Sequence, residues 1–324
     1  MKNKDRVKDH QKNESLEKIL AELEGLLKPV NDKIVSANKG PDKPVVFIMG
    51  CARSGTTLLL QYLSQTNLFG YPNNTISRFY YAPYIGTRIY QMLYECDSKG
   101  EIFPWKDQNQ LESELGKTKG PSQPHEFWYF WNRFFQFNSD NSLTDESKSS
   151  SNLKAFVKEI GAFQSATNKP LVMKALNLNW DIPLLQSASN NFYFIHLKRD
   201  TSYNAQSLLK ARKSFFGDYS KWYSFKTPNY DQLKHAPSWE QVVEQVKSNN
   251  LAIEEGFAKI PSDKTIQISY EDFIKNPHKL LIRLKELNIT SETPELNHSL
   301  QISDQITIEP EIWKSITEYV KKNP

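Results

Sequence analysis

Gly50, Cys51, Ala52, Arg53, Ser54, Gly55, Thr56 and Thr57 form a glycine-bracketed run dense in hydrogen-bond donors. Arg53 offers a guanidinium fork, and Ser54, Thr56 and Thr57 offer hydroxyls. That set suits the oxygens of a phosphate or another compact anion. The run follows Val45, Val46, Phe47, Ile48 and Met49, an unbroken apolar stretch with the composition of a strand buried on both faces. Leu58, Leu59, Leu60, Tyr62 and Leu63 continue it as a helix former. Strand, glycine turn and helix together aim backbone N–H groups and a helix N-terminus at one anion. The nucleoside-triphosphatase form, G-x-x-x-x-G-K-[ST], carries a Lys after its second glycine. Thr56 stands there in this chain, and the cation sits inside the loop at Arg53. A phosphate joined to another compact anion fits this donor set better than a magnesium-bound triphosphate tail. The plain alternative is an ordinary glycine turn before a helix.

A second anion-binding pair lies far along the chain. Arg199 follows the apolar run Asn191 to Leu197, and Ser207 comes eight residues later, within the expected helix TSYNAQSLLKAR. An arginine at a strand end and a hydroxyl about two turns into the next helix can bracket one phosphate. Taken alone, the pair is equally a surface ion-pair residue and a helix serine. Lys174, ending the apolar stretch PLVMK, is another cation at a strand end, or else a plain surface lysine.

These residues resemble the family of sulfotransferases that use 3′-phosphoadenosine-5′-phosphosulfate (PAPS). Arg53-Ser54-Gly55-Thr56-Thr57 after a buried strand looks like that family's 5′-phosphosulfate loop. Arg199 with Ser207 is similar to its 3′-phosphate pair, although Thr201 replaces the proline that usually follows Arg-Asp. The strand from Lys264 to Ser269 and the Tyr-Glu-Asp at Tyr270 also look like a late segment of the family. The resemblance covers Pro44 to Gln65 and Pro170 to about Leu287. It is weak across the aromatic segment between them, and absent before Pro44. No clear C-terminal glycine-rich cofactor segment is visible, so the chain looks nearer the bacterial and carbohydrate-type branches.

The resemblance implies PAPS as donor, adenosine 3′,5′-bisphosphate as product and no metal. It implies Gly50 to Thr57, Arg199 and Ser207 as cofactor-binding residues. Arg53 occupies the place of the family's loop Lys or Arg, and Lys174 resembles a family lysine at a strand end. Sulfuryl transfer needs an in-line acceptor, a base for its proton and cations on the leaving phosphate. Positioned charge should therefore carry most of the catalysis. Relatives take the base from a His or a Glu, some with the Glu shortly after the first helix. Here that region reads YPNNTISRFY, with Asn73 and Asn74 and no acid. Glu126 is the first candidate and His125 the next. A Glu near apolar rings is expected to have its pKa raised. Alternatively, both residues merely open an aromatic helix. Arg78 contacts substrate or serves a surface ion pair.

The elements that must position these groups read as repeated strand–helix units. Such repeats predict an α/β fold, a parallel β-sheet with helices on both faces, of the three-layer P-loop, nucleotide-kinase-like kind. Ligands in such sheets collect at the carboxyl ends of strands. Helices are expected over Leu153 to Ile160, Asp181 to Ala188, from a Ser238/Gln241 capping box onward, and from Pro310 to Val320. Residues 1–43 read as a charged tail and an amphipathic helix, Leu16 to Leu27, ended by Pro29. Residues 44–324 read as one domain with a helical aromatic insertion over about 70–152. Most of its rings, among them Phe103, Trp105 and those of PHEFWYFWNRFF, are expected to fill core, with some lining an acceptor pocket. Trp128 and Trp131 are spaced to share a helix face. NSDNSLTDESKSSSN, Asn138 to Asn152, reads as an unpacked surface loop, and KWYSFKTPNY, Lys221 to Tyr230, as a loop able to close over the site.

In 324 residues, 41 basic and 37 acidic side chains leave a net charge of +4, too mild to argue for nucleic acid. Two cysteines imply no disulfide framework, and Cys51 reads as a small filler under the loop. The charged start has no apolar signal region, no run approaches a membrane span, and a cytoplasmic protein is expected. The expected activity is sulfuryl transfer to a hydroxyl or amine of a small-molecule or carbohydrate acceptor. A P-loop kinase or nucleotidase and a non-catalytic glycan-binding module are the alternatives; the oligomeric state is open.

Overall fold

The computed structural model describes residues 6–103, 111, 113–138, 142–296 and 300–323. The chain begins with α1 (Glu14–Ser36), capped by Asn13, whose side chain accepts from the Leu16 amide. β1 (Val45–Met49) leads through the glycine loop into α2 (Thr56–Gln65). Then come α3 (Pro83–Tyr90), α4 (Trp128–Phe134), α5 (Asp145–Lys148), α6 (Ser150–Thr167) and β2 (Leu171–Lys174). Strands and helices alternate thereafter: α7 (Ile182–Ala188), β3 (Phe192–Lys198), α8 (Thr201–Phe216), α9 (Tyr230–Leu233), α10 (Ser238–Phe257) and β4 (Thr265–Ser269). The chain closes with α11 (Tyr270–Lys275), α12 (His278–Glu286) and α13 (Pro310–Lys322).

The four strands make one parallel sheet in the order β2-β1-β3-β4. β1 is central, with Ile48 opposite Lys174 on β2 and Met49 opposite His196 on β3. The glycine loop therefore leaves the carboxyl edge between the ends of β2 and β3, where a crevice must form in such a sheet. Alternation along the strands sorts the core into two layers. Val45, Phe47 and Met49 face Phe127, Phe130, Trp131, Phe156 and Phe163, whereas Val46 and Ile48 face Leu59, Leu60, Phe273 and Leu281. The rings of α4 are thus mainly core, and burying one Phe stabilises the fold by roughly 1.5–3 kcal/mol. No helix among the described residues is long and apolar enough to cross a membrane.

Three local expectations are corrected. α1 runs through Pro29 to Ser36. Proline forfeits its own N–H bond to the residue four back, but downstream Asn31 is buried and donates to both Glu159 oxygens at 3.0 and 3.2 Å. That docking onto α6 carries the helix past the proline. The polar stretch is packed from Ser142 onward, with Leu143 and Ser147 buried. Its hydroxyls cap successive helices, Thr144 accepting from Ser147 N and Ser149 from Asn152 N; residues 139–141 lie outside the described residues. Ser238 is the first residue of α10, preceded by Pro237 with no side-chain cap. Gln241 instead accepts from Arg212 at 2.7 Å and donates to the Ala236 carbonyl at 2.8 Å. Trp105 lies outside the described residues.

Candidate active site

The loop after β1 is held in a conformation few sequences adopt unaided. Arg53 has a left-handed backbone, φ 69°, and Gly55 has φ 99°. A Cβ on Gly55 would meet the Tyr270 ring at 2.5 Å, and one on Gly50 would meet the Leu197 carbonyl at 2.8 Å. Both glycines are thus required by close approach as well as by turn geometry. Strain of this kind persists only where surroundings enforce it. Here three distant side chains do so: Asn179 donates to the Gly50 carbonyl at 3.0 Å, Asn204 to Ala52 at 2.8 Å and Arg199 to Arg53 at 3.3 Å. Cys51 is wholly buried beneath, where desolvation pushes its thiol pKa far up. Thr56 and Thr57 open α2, whose first N–H groups have no intrahelical partners.

Arg53 turns toward α8, its Nε donating to Ser207 Oγ at 3.3 Å. Arg199, just past β3, is 8% exposed, and burial lowers its pKa. Its guanidinium lies 4.7 Å from the centre of the Tyr270 ring and donates to the Ser303 carbonyl. Arg53, Ser207 and Arg199 therefore share one crevice. Two polar atoms there, Ser54 Oγ and Arg199 Nε, are buried without a hydrogen-bond partner among the described residues. Unsatisfied buried donors are uncommon, and both fit an anion-binding cradle.

On the other side of the loop, Lys174 is 5% exposed and its Nζ reaches both Thr57 Oγ1, at 2.9 Å, and the Glu126 carboxylate. Trp128 Nε1 donates to the other Glu126 oxygen at 2.7 Å. Burial works to raise the Glu126 pKa, but the Lys174 ammonium and these hydrogen bonds outweigh it and hold the pKa below the usual value. The expected upward shift is thus reversed, because the rings come with a lysine 48 positions away in sequence. His125 is pushed down to about 4, chiefly by burial, and its Nδ1 accepts from Phe127 N at 2.9 Å. It is a neutral imidazole that anchors the left-handed Phe127 before α4. Arg78 is exposed, within electrostatic reach of His125.

The crevice is roofed by the segment after α8. Tyr223, its pKa raised mainly by burial, feels both Arg53 and Glu126. Phe225 packs on Trp128 with ring centres 5.0 Å apart. Gly116 brings a short turn against Glu126 Oε1 and Thr57 Oγ1. The stretch from Ser303 to Thr307 crosses α8, where Gln206 bonds the Gln305 carbonyl and the Thr307 amide, both at 2.9 Å. Sequence reasoning missed Asn179, Asn204 and this C-terminal stretch. Two asparagines in LNLNW directly after a strand were the available signal.

A parallel sheet with a glycine-bracketed loop after β1 and cations at the ends of both neighbouring strands is a P-loop-like α/β fold. Residues 44–287 match the model of the sulfotransferase family, and the chain belongs to that family. None of the curated proteins matches it significantly. Among solved structures, sulfotransferase STF9 from Mycobacterium avium is similar in fold, with TM-score 0.52 and 11% identity over 93% of this chain and 73% of that one. Sulfotransferase STF1 from Mycobacterium tuberculosis H37Rv aligns at TM-score 0.49 and 12% identity, over 91% and 76% of the two chains. A sulfotransferase from Alicyclobacillus acidocaldarius aligns at TM-score 0.43 and 14% identity, over 86% and 92%.

Proposed function

We propose that this sulfotransferase moves a sulfuryl group from PAPS to a hydroxyl, or an amine, of a carbohydrate or glycoconjugate acceptor by in-line displacement. The single observation that carries this is the convergence of Arg53, Ser207 and Arg199 in one crevice, with the Lys174–Glu126 pair across the loop. Bound there, PAPS supplies an electrophilic sulfuryl group joined to a phosphate leaving group. The loop amides from Gly50 to Thr57 and the hydroxyls of Ser54, Thr56 and Thr57 would hold its 5′ end, and Arg199 with Ser207 its 3′-phosphate. The orphaned Ser54 Oγ and Arg199 Nε fit those roles.

Arg53 is the cation for charge developing between sulfate and phosphate, since one guanidinium can serve the loop and Ser207 together. Lys174 is the second cation, held against the start of α2 by Thr57. Glu126, kept ionised by Lys174, takes the acceptor proton. His125 is left without this role, its Nδ1 lone pair being engaged. The two free thiols support a reducing, cytoplasmic setting. The direct test is transfer of labelled sulfate from PAPS across a panel of sugars and small alcohols, without added metal. Label on a sugar hydroxyl supports the proposal; absence of transfer to every acceptor overturns it.

A further inference from the structure

Gln241, Gln245 and Asn249 recur every fourth residue along one face of α10, and all are buried, at 4%, 1% and 3% exposure. Buried amides are costly unless their polar atoms find partners. Here the partners run in a line from the glycine loop to the roof of the crevice. Asn249 Oδ1 accepts from Asn179 Nδ2 at 2.8 Å, and the same Asn179 amide donates to the Gly50 carbonyl at 3.0 Å. Asn249 Nδ2 donates to the Gln245 carbonyl, one turn back, at 2.8 Å. Gln245 Nε2 then donates to two roof carbonyls, Tyr223 at 2.9 Å and Phe225 at 3.1 Å. Between them Ser224 is left-handed, φ 68°, a conformation that persists in such a residue only where its surroundings enforce it. Residues 217–229 contain no helix or strand, so anchoring this stretch falls to side chains.

We propose that Gln245 is a positioning residue for the transfer reaction, fixing the Tyr223–Phe225 backbone over the crevice. It acts through its two carbonyl partners. Tyr223 lies within electrostatic reach of both Arg53 and Glu126, and Phe225 packs on Trp128, the indole that bonds Glu126. Because Asn249 and Asn179 tie the same helix to Gly50, roof and loop are held in one register. The role in turnover rests on the sulfotransferase function proposed above, with Glu126 as base. Gln241 supplies an internal comparison. Both glutamines accept from Arg212, Gln241 at 2.7 Å and Gln245 at 3.4 Å. That guanidinium is wholly buried, donates also to the Tyr219 carbonyl at 3.2 Å and lies 4.9 Å from the centre of the Trp222 ring. Gln241 Nε2, however, donates to the Ala236 and Lys234 carbonyls, at 2.8 and 3.4 Å, ahead of α10 and outside the roof. The two residues share burial, helix face and Arg212, and differ in whether the backbone they hold lies over the site.

The test makes the same change at both positions, Gln245→Glu and Gln241→Glu. A carboxylate still accepts from Arg212, now as an ion pair, but no longer donates to backbone carbonyls. We expect Gln245→Glu to lower kcat for sulfate transfer from PAPS to methyl β-D-glucopyranoside by about tenfold or more, with the Kd for adenosine 3′,5′-bisphosphate within about twofold of wild type. Gln241→Glu, at a comparable Tm, should leave kcat within about twofold. Hydrogen exchange over 217–229 should quicken by about tenfold or more in Gln245→Glu and not in Gln241→Glu, while β1 and β3 keep wild-type protection. Gln245→Met, close in volume and uncharged, repeats the loss of donors if the carboxylate prevents folding. Equal losses of kcat in the two glutamate variants would make Gln245 merely structural, and wild-type exchange over 217–229 in the Gln245 variants would remove its hold on the roof. Either result overturns the proposal. A wild type that transfers no sulfate from PAPS instead undoes the underlying function, and the exchange comparison still decides whether Gln245 holds the roof.

Discussion

Arg53 Nε lies 3.3 Å from Ser207 Oγ, although 154 positions separate the two residues. The contact spans from the loop after β1 to the second turn of α8, joining the groups expected to hold opposite ends of one nucleotide. A ligand with phosphates at both its 5′ and 3′ positions would lie along this line, with Arg199 at the 3′ end.

Arg199→Ala should weaken adenosine 3′,5′-bisphosphate binding by about 10- to 100-fold, the value of charge-assisted hydrogen bonds worth about 1.5–3 kcal/mol. Adenosine 5′-monophosphate lacks the 3′-phosphate, and its affinity should stay within about twofold. Calorimetric titration of both ligands checks this; an equal loss for both would remove Arg199 from the 3′ site.

Gly55→Ala places a methyl against the Tyr270 ring at a left-handed position. A destabilisation of at least about 1 kcal/mol is expected, together with weakened bisphosphate binding. Urea unfolding reads the first and calorimetry the second. Wild-type values for both would show that the loop tolerates a different path.

Glu126→Gln should reduce turnover by about 10²- to 10⁴-fold, the range for a lost general base, while bisphosphate affinity is retained. In the wild type, Lys174 depresses the Glu126 pKa. The acid limb of kcat should therefore fall below the ordinary carboxylate range, and Lys174→Met should move it to higher pH as well as slow the reaction. An acid limb that stays in place in Lys174→Met contradicts the pairing.

His125 is half-buried and neutral, its pKa lowered from 6.5 to about 4, chiefly by desolvation. Between those values the unfolded chain binds the proton and the folded one does not, so folding weakens as pH falls through this window. The contribution between pH 7 and pH 5 is about 2 kcal/mol. His125→Asn, which keeps an acceptor for the Phe127 amide, should flatten the dependence of the urea midpoint on pH. An unchanged slope would mean that His125 titrates normally.

The sheet and its loop were legible because their signals are local. Val45 to Met49 is a continuous apolar run, and Gly50 and Gly55 bracket the turn that follows. The Arg199 and Ser207 placement was legible because a strand end and a helix register fix it. Contacts between distant segments were not. Asn179 meets Gly50 across 129 positions and Asn204 meets Ala52 across 152, neither in a pattern that periodicity reveals. The direction of the Glu126 shift failed for the same reason: neighbouring rings are visible in sequence, and the lysine that outweighs them is not. Ser149 misled differently, since a hydroxyl that caps a helix has the composition of a disordered loop.

Thermal stability of the wild type, measured without added metal, tests the two-phosphate site most directly. At 100 times its Kd, a ligand specific for the folded state stabilises by about 2.7 kcal/mol. Adenosine 3′,5′-bisphosphate should raise Tm clearly, adenosine 5′-monophosphate much less at the same concentration, and magnesium-ATP not at all. A larger shift with magnesium-ATP than with the bisphosphate would contradict the account.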